Sequence, residues 1–409
     1  MKSVTHGTVA VILDGNQRSA LAATRSLGMK GIDIVVGAET LESLASSSRY
    51  CRRFFSYPSP AEDPHAFLHS IIAHSGEYRS PVLFPMTDVT LNEILLNRDR
   101  LPDPILLPFP DFDSYNDLTN KEKLFRLAIQ HGIPMPQTLF SSDFRNKDDL
   151  ISEAVKIQFP LVVKSAYSRE RMEGKYVSSS ALYVGNAEEL KDVMGRDPFA
   201  RTEFLVQKRI YGPGIGIFLL AQDGNICATF AHRRIREKPP SGGVSVLSES
   251  IHPPAGAVEY STKLLSSVRW NGVAMVEFKW DTIENCPKLI EVNGRFWGSL
   301  NLAVRAGVDF PYLLYRMAQG EKISGPAEFR IGVKSRWELG DLDHLLIRLK
   351  NPAVLSPDGI GSSKRAAIRD FIVDFFRPSV VHEIFEIKDI GPFLFEAKEY
   401  MKAIWNSVS

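Results

Sequence analysis

The sequence predicts a mixed α/β and α+β chain in three parts: a Rossmann-like N-terminal domain over residues 1–117, an α+β middle over 118–325, and a mostly helical extension over 326–409. Three observations lead there. Short β-branched runs alternate with helical patterns near the N-terminus, strand-like runs crowd the middle, and apolar residues recur at helical spacing towards the end. A content of 44% hydrophobic and 24% charged residues in 409 is that of a well-packed globular protein.

The first element is the apolar run from Thr8 to Leu13, followed by Asp14-Gly-Asn-Gln and a helical pattern from Ser19 through Leu27. Ile32 to Val36 comes directly after Gly31, which completes a β-α-β unit and implies parallel strands. Val82–Phe84 and Ile105–Leu107 read as further buried strands, with a helix from Val89 to Asn97 between them. Ligands in such sheets bind at strand-to-helix turns, here Asp14 to Arg18. The G-x-G-x-x-G spacing is absent, so a dinucleotide is not indicated.

The texture changes at Thr119. Asn120 to His131 is a charged amphipathic helix, closed by Gly132-Ile-Pro-Met-Pro136. Phe159–Lys164, Glu203–Lys208, Gly216–Ala221 and Ile226–Ala231 then read as strands, without any repeat of solenoid period. After Gly325 the pattern is helical from Trp337 to Ser409, broken at Ser356–Ser362. The amphipathic stretch Ala366 to Phe376 is expected to cover the middle domain rather than touch a membrane.

Charge excludes several function classes. Lysine and arginine number 49 against 48 aspartate and glutamate, a net +1, so the whole molecule presents no field for nucleic acid or anionic lipid. No apolar run approaches the roughly 20 residues that span a bilayer, and no signal peptide is recognisable. A soluble cytoplasmic protein is expected. Three widely separated cysteines, Cys51, Cys227 and Cys286, make neither a disulfide framework nor a zinc site.

Gly272–Trp280 and Lys288–Trp297 read as two strands joined by a polar connection containing Asn285 and Pro287. A hairpin centred on Glu284 pairs Glu277 with Glu291. Like charges facing each other destabilise a sheet unless a cation lies between them. Asn293 and Arg295 continue the face of Glu291 by alternation. Two carboxylates and an amide oxygen are hard ligands suited to magnesium held jointly with substrate phosphates. Geometry alone leaves a second reading open, in which one glutamate faces solvent and the other pairs with Lys279 or Arg295, because a one-residue slip exchanges the faces.

Two lysines have the placement of phosphate ligands: Lys121 opens the helix before Gly132, and Lys164 ends an apolar strand. Either alone reads first as a surface lysine with a buried stem. Gln207-Lys208-Arg209-Ile210 closes a strand before Gly212-Pro-Gly214, where backbone groups and one amide side chain could read an adenine edge.

In this order, Asn120-Lys121 with Gly132-Ile-Pro-Met-Pro136, Phe159–Lys164, Leu205–Ile210, and Glu277 with Glu291-Val-Asn293-Gly-Arg295 resemble the ATP-grasp superfamily. The resemblance covers about Asp117 to Gly325. Within the superfamily the chain looks most like carbamoyl-phosphate-synthase-like, predicted ATP-dependent carboligase proteins, through His232–Gly243 and Arg295-Phe-Trp-Gly-Ser299. The resemblance implies an ATP-grasp fold of two α+β subdomains and an enzyme that activates a carboxylate as an acyl phosphate for attack by an amine. Lys121 and Lys164 would bind ATP phosphates, and Gln207, Lys208 and Ile210 the adenine. Glu277, Glu291 and Asn293 would ligate magnesium, with manganese as an alternative ion, and Arg295 would stabilise the transferring phosphoryl group. The covering loop Ser165–Ser180 carries Gly174 as its one glycine where relatives are glycine-rich, and the ribose contact is unassigned.

The run His232-Arg233-Arg234-Ile-Arg236-Glu-Lys238 precedes Pro239-Pro-Ser-Gly-Gly243. It is short and lacks interleaved aromatics, which argues against nucleic acid. Alternation places Arg234 and Arg236 on one face and Arg233 on the other; guanidinium forks suit planar oxyanions, which favours a catalytic clamp by Arg234 and Arg236 for the substrate carboxylate or γ-phosphate over a plain solvated charge run. His232, Arg233, Gly242, Gly243 and Ser245 are expected around the substrate, with Asn16 and Arg18 at its far end. The expected partners are a small-molecule carboxylate and an amine, and the expected assembly is a homodimer. Two rivals stand: a bicarbonate-dependent carboxylase or carbamoyl-phosphate-type enzyme, and a non-catalytic ATP-binding scaffold.

Overall fold

The computed structural model describes residues 9–167, 169–172, 175–178, 181–351 and 363–408. Thr8, Gly174 and the break at Ser356–Ser362 lie outside these residues.

β1 (Val9–Ile12), β2 (Asp33–Ala38), β3 (Cys51–Ser56) and β4 (Val82–Phe84) form a parallel sheet in the order β3-β2-β1-β4. The helix Arg18–Gly28 makes the crossover between β1 and β2. Ile105–Leu107 is not a strand: Leu106 makes a single parallel bridge to Val82. The physical reason is the flanking Pro104 and Pro108, which carry no N–H to extend a ladder.

β5 (Thr138–Phe140), β6 (Leu161–Ser165), β9 (Leu182–Val184) and β10 (Phe204–Lys208) form an antiparallel lobe, ordered β5-β10-β6-β9. Between β6 and β9, β7 (Arg169–Met172) and β8 (Lys175–Ser178) pair as a separate hairpin. The remaining strands are β11 (Gly214–Gln222), β12 (Asn225–Lys238), β13 (Val244–Ser250), β14 (Gly272–Asp281), β15 (Cys286–Asn293), β16 (Lys334–Arg336) and β17 (Val380–His382). They build one sheet, ordered β15-β14-β11-β12-β13-β16-β17.

Two cores result. Leu150, Leu161, Val163, Leu190 and Val206 pack inside the four-stranded lobe, supported by the helices Lys147–Ile157 and Ala187–Gly195. The other core is continuous from the parallel sheet to the seven-stranded sheet, and it holds Phe84, Phe218, Trp270, Phe278, Phe296 and Phe310 without exposure. The chain passes between the two cores at Lys208–Gly214. There Gly212 has φ +145°, and a Cβ on it would fall 1.8 Å from the Trp280 carbonyl oxygen, so only glycine lets this segment lie against β14.

The C-terminal region is tied to both ends of the larger core. β16 and β17 extend the large sheet, and Arg25 of the first helix is buried against Asp389 at 2.7 Å, with its other N–H groups on the Glu383, Ile384 and Asp389 carbonyls. The helix Lys364–Phe376 does not cover the middle domain as expected. Its one buried residue is Asp374, while Ile368, Ile372, Val373 and Phe376 are exposed. Phe371 and Phe375 instead flank the buried Arg336 guanidinium, at 4.2 and 5.4 Å from the ring centroids.

Candidate active site between two sheets

The hairpin β14–β15 places Glu277 directly opposite Glu291 and Met275 opposite Asn293. Its turn is one residue tighter than a centre at Glu284 requires, since Asp281 pairs with Cys286. A bulge between Glu277 and Phe278, with Ile290 as the extra residue on β15, restores the offset. The carboxylates therefore share the face turned towards the four-stranded lobe.

Cations surround them. Arg234 of β12 forms an ion pair with Glu277 and reaches Glu237 at 3.3 Å, and Lys121 Nζ lies 3.7 Å from Glu291 Oε2. Asn293 Nδ2 donates to Glu291 Oε1 at 3.2 Å, and Arg295 donates to Asn293 Oδ1 at 3.3 Å while pairing with Asp88 at 2.9 Å. Burial raises Glu277 above the usual carboxylate range, aided by Glu291 and only partly opposed by Arg234. Burial also works against a charge on Glu291, but Lys121, Lys164 and the Asn293 hydrogen bond outweigh it and lower that carboxyl. Lys164 is pushed down to about 8, chiefly by burial, with Lys121 adding to the shift and Glu291 opposing it. It is a half-buried lysine that lines a cleft.

That cleft encloses about 520 Å³ between the two sheets. Lys164, Gln207, Lys208 and Ile210 line its lobe side, and Glu277, Glu291, Asn293 and Arg295 its large-sheet side. Gln207 Nε2 donates to Thr138 Oγ1 at 2.9 Å, which fixes the amide at the cleft wall. His232, Arg234, Gly242, Gly243, Ser245 and Arg18 also line it, Arg18 reaching in from the N-terminal helix with Nη2 on the Ser245 carbonyl at 3.2 Å. Lys121 lines an adjoining cavity of about 180 Å³ that shares Glu291 and Asn293 with the cleft.

Three expected site residues lie elsewhere. Arg236 does not share the Arg234 face: β12 is irregular on both sides of Arg236, and its guanidinium pairs with Asp341 at 2.7 Å and Asp374 at 2.8 Å. Arg233 is exposed and paired with Glu249 at 2.6 Å. Asn16 spends its amide on Thr40 and the Leu44 N–H, each at 3.2 Å, where it orders the loop after β2. Conversely, Glu237 and Lys279 line the cleft although neither is among the site residues expected from the sequence. Lys279 was readable, two residues beyond Glu277 on the same strand face. Glu237 was not, because the β12 irregularity changes the parity that alternation assumes.

Among the described residues no group of three or more histidine, cysteine, aspartate or glutamate side chains could hold a metal ion. Two carboxylates and an amide oxygen nevertheless suit a magnesium site completed by phosphate oxygens, since that ion keeps few protein ligands. No helix among the described residues is long and apolar enough to cross a membrane.

Comparison with known proteins agrees with this architecture. Residues 200–339 match a family described as ATP-grasp in the biosynthetic pathway with Ter operon. A D-aspartate ligase of Enterococcus faecium (strain Aus0004) is 21% identical over 231 residues, which are 54% of this chain and 55% of that protein. The match thus spans about half of the curated relative. Among solved structures, an L-amino acid ligase from Bacillus licheniformis superposes with a TM-score of 0.59 at 17% identity, covering 78% of this chain and 76% of that one. The biotin carboxylase domain of Hydrogenobacter thermophilus 2-oxoglutarate carboxylase, a dimer described with MgADP, ADP and bicarbonate, superposes with a TM-score of 0.62 at 15% identity, covering 81% and 74%.

Proposed function

We propose that this chain, which has the ATP-grasp fold, is an ATP- and magnesium-dependent ligase that joins a carboxylate to an amine. The observation that carries the reading is the opposed pair Glu277 and Glu291, with Lys164 and Arg234 beside it in the cleft between the two sheets and Lys121 reaching Glu291 from the adjoining cavity. The ligase names of the two amino-acid-ligating relatives agree with it.

Lys164 and Lys121 bind the phosphates of ATP, and Gln207, Lys208 and Ile210 hold the base. Glu277, Glu291 and Asn293 would hold magnesium, which would supply charge neutralisation to the transferring phosphoryl group. Before nucleotide arrives, the cations neutralise the two carboxylates; with the triphosphate bound, Arg234 and the lysines turn to its phosphates. A substrate carboxylate oxygen then attacks the γ-phosphorus, the bond to the β-bridging oxygen breaks, and ADP leaves. Arg295 and Arg234 stabilise the equatorial charge of that transfer. The amine attacks the acyl phosphate, loses a proton and displaces inorganic phosphate, giving the amide. Holding both reactants in one cleft supplies the proximity. An ATP requirement is met in the cytoplasm, and the chemistry needs no nucleic acid or membrane partner.

The test is magnesium-dependent ADP release across a panel of carboxylates and amines. A productive pair should stimulate release, and Glu291→Gln should cut it by about 10²–10³. Stimulation by bicarbonate alone would favour the carboxylase reading, and ATP binding without any stimulation would favour the scaffold.

A further inference from the structure

The cleft has an end that the ligase reading leaves unused. It is lined by Arg18, His232, Ser245, Trp297, Gly298 and Ser299, where the N-terminal helix meets β12, β13 and the segment after β15. Three polar atoms there are buried without a hydrogen-bond partner among the described residues: His232 Nε2, Trp297 Nε1 and Ser245 Oγ. His232 is 1% exposed and Trp297 2%. Leaving such groups unpaired costs stability, so a built site that contains them is shaped for something else.

Their chemistry names the occupant. Trp297 Nε1 can only donate, and so can the Arg18 guanidinium, while a serine hydroxyl and a neutral imidazole can each donate one proton. His232 is neutral: burial, with Arg234 nearby, pushes it down to about 3, and its Nδ1 lies 3.3 Å from Ser299 Oγ. Phe218 fixes both rings, with centroids 4.6 Å from His232 and 4.2 Å from Trp297. A Cβ on Gly298 would come within 2.8 Å of Arg18 Nη2, so the absence of a side chain lets the guanidinium reach in. None of those six lining residues is acidic, and Glu383, the carboxylate on Arg18, also accepts from Ser335 Oγ at 3.3 Å.

Resting on the ligase reading, we infer that this end holds the carboxylate of the amine substrate, so that the acceptor is an amino acid. Its carboxylate meets Trp297 Nε1, Ser245 Oγ, His232 Nε2 and Arg18. Its amino group points back towards Lys164 and Arg234, whose charges favour the uncharged amine that attacks.

The test uses the full chain with ATP, magnesium and hydroxylamine, which captures an acyl phosphate as a hydroxamate without needing an acceptor subsite. A carboxylate panel read in this way identifies the donor. Free amino acids are then compared with their carboxamides and with simple amines of equal size. Amino acids should show KM values at least about tenfold below their carboxamides, and Trp297→Phe, which keeps the ring and removes one N–H, should raise the amino-acid KM about tenfold relative to that of hydroxylamine. A structural role for Trp297 would move both KM values together. Equal use of acids and carboxamides, or a Trp297→Phe effect shared by both nucleophiles, overturns the inference while leaving the ligase standing. Absence of hydroxamate with every carboxylate overturns the ligase reading itself, and this inference with it.

Discussion

Lys164 shows how a single side chain reports on the whole site. Burial holds its ammonium down to about 8, so on the alkaline side of that value the free protein carries it largely uncharged. A triphosphate beside it favours the charged form and raises its pKa, so nucleotide binding should draw a proton from solution above about pH 8. Calorimetry in two buffers of different ionisation enthalpy measures that uptake, and Lys164→Met should abolish it. Uptake that persists in the variant would mean that another group titrates. At this scale the sequence was informative where side chains act locally. Glu277, Glu291, Arg234 and Lys164 were visible from strand parity and charge, and they converge. Asn16 was not separable from a ligand residue, because an amide that orders a loop has the same sequence context as one that binds substrate. The orphaned N–H of Trp297 had no sequence mark at all, since an unpaired buried donor is a property of its surroundings.

Elements decided which of those residues could meet. The bulge at Ile290 compensates a turn one residue too tight, and without it Glu291 and Asn293 would face away from Glu277. The opposite happened on β12, where irregular pairing around Arg236 sends that guanidinium to Asp341 and brings Glu237 to the cleft. Both are departures from period two, and a pattern of residue types does not record them. The glycine at 212 is different, since its packing constraint is strict. With φ +145° and the Trp280 oxygen 1.8 Å from where a Cβ would sit, Gly212→Ala should lower stability by more than about 1 kcal/mol. Chemical denaturation reads that loss, and an unchanged midpoint would show that the passage between the cores is more tolerant than its geometry implies.

For the molecule as a whole, the near balance of 49 basic and 48 acidic residues conceals opposed local fields. Much of that charge is spent on joining parts of the chain. The parallel sheet and the C-terminal region are joined by Arg25, whose partner Asp389 also accepts from Ser48 Oγ and the Arg49 N–H, each at 2.8 Å. Breaking a buried, fully bonded pair from one side leaves a charge without compensation, so Arg25→Met should cost about 3–5 kcal/mol. The same denaturation experiment checks it, and a loss below about 1 kcal/mol would place the pair in a solvated environment. The β-α-β opening and the strand-rich middle were legible because apolar periodicity survives at that scale. The return of the last segment as β16 and β17 was not, since three-residue strands leave no periodicity to read.

The central claim is that a substrate carboxylate, activated by ATP in this cleft, becomes an acyl phosphate. The most direct measurement supplies the productive carboxylate labelled with ¹⁸O, with ATP, magnesium and the amine, and follows the label into inorganic phosphate. One labelled oxygen per ADP released is the predicted result. ADP released with unlabelled phosphate would mean that water, not the carboxylate, attacks the γ-phosphorus, and would contradict the account.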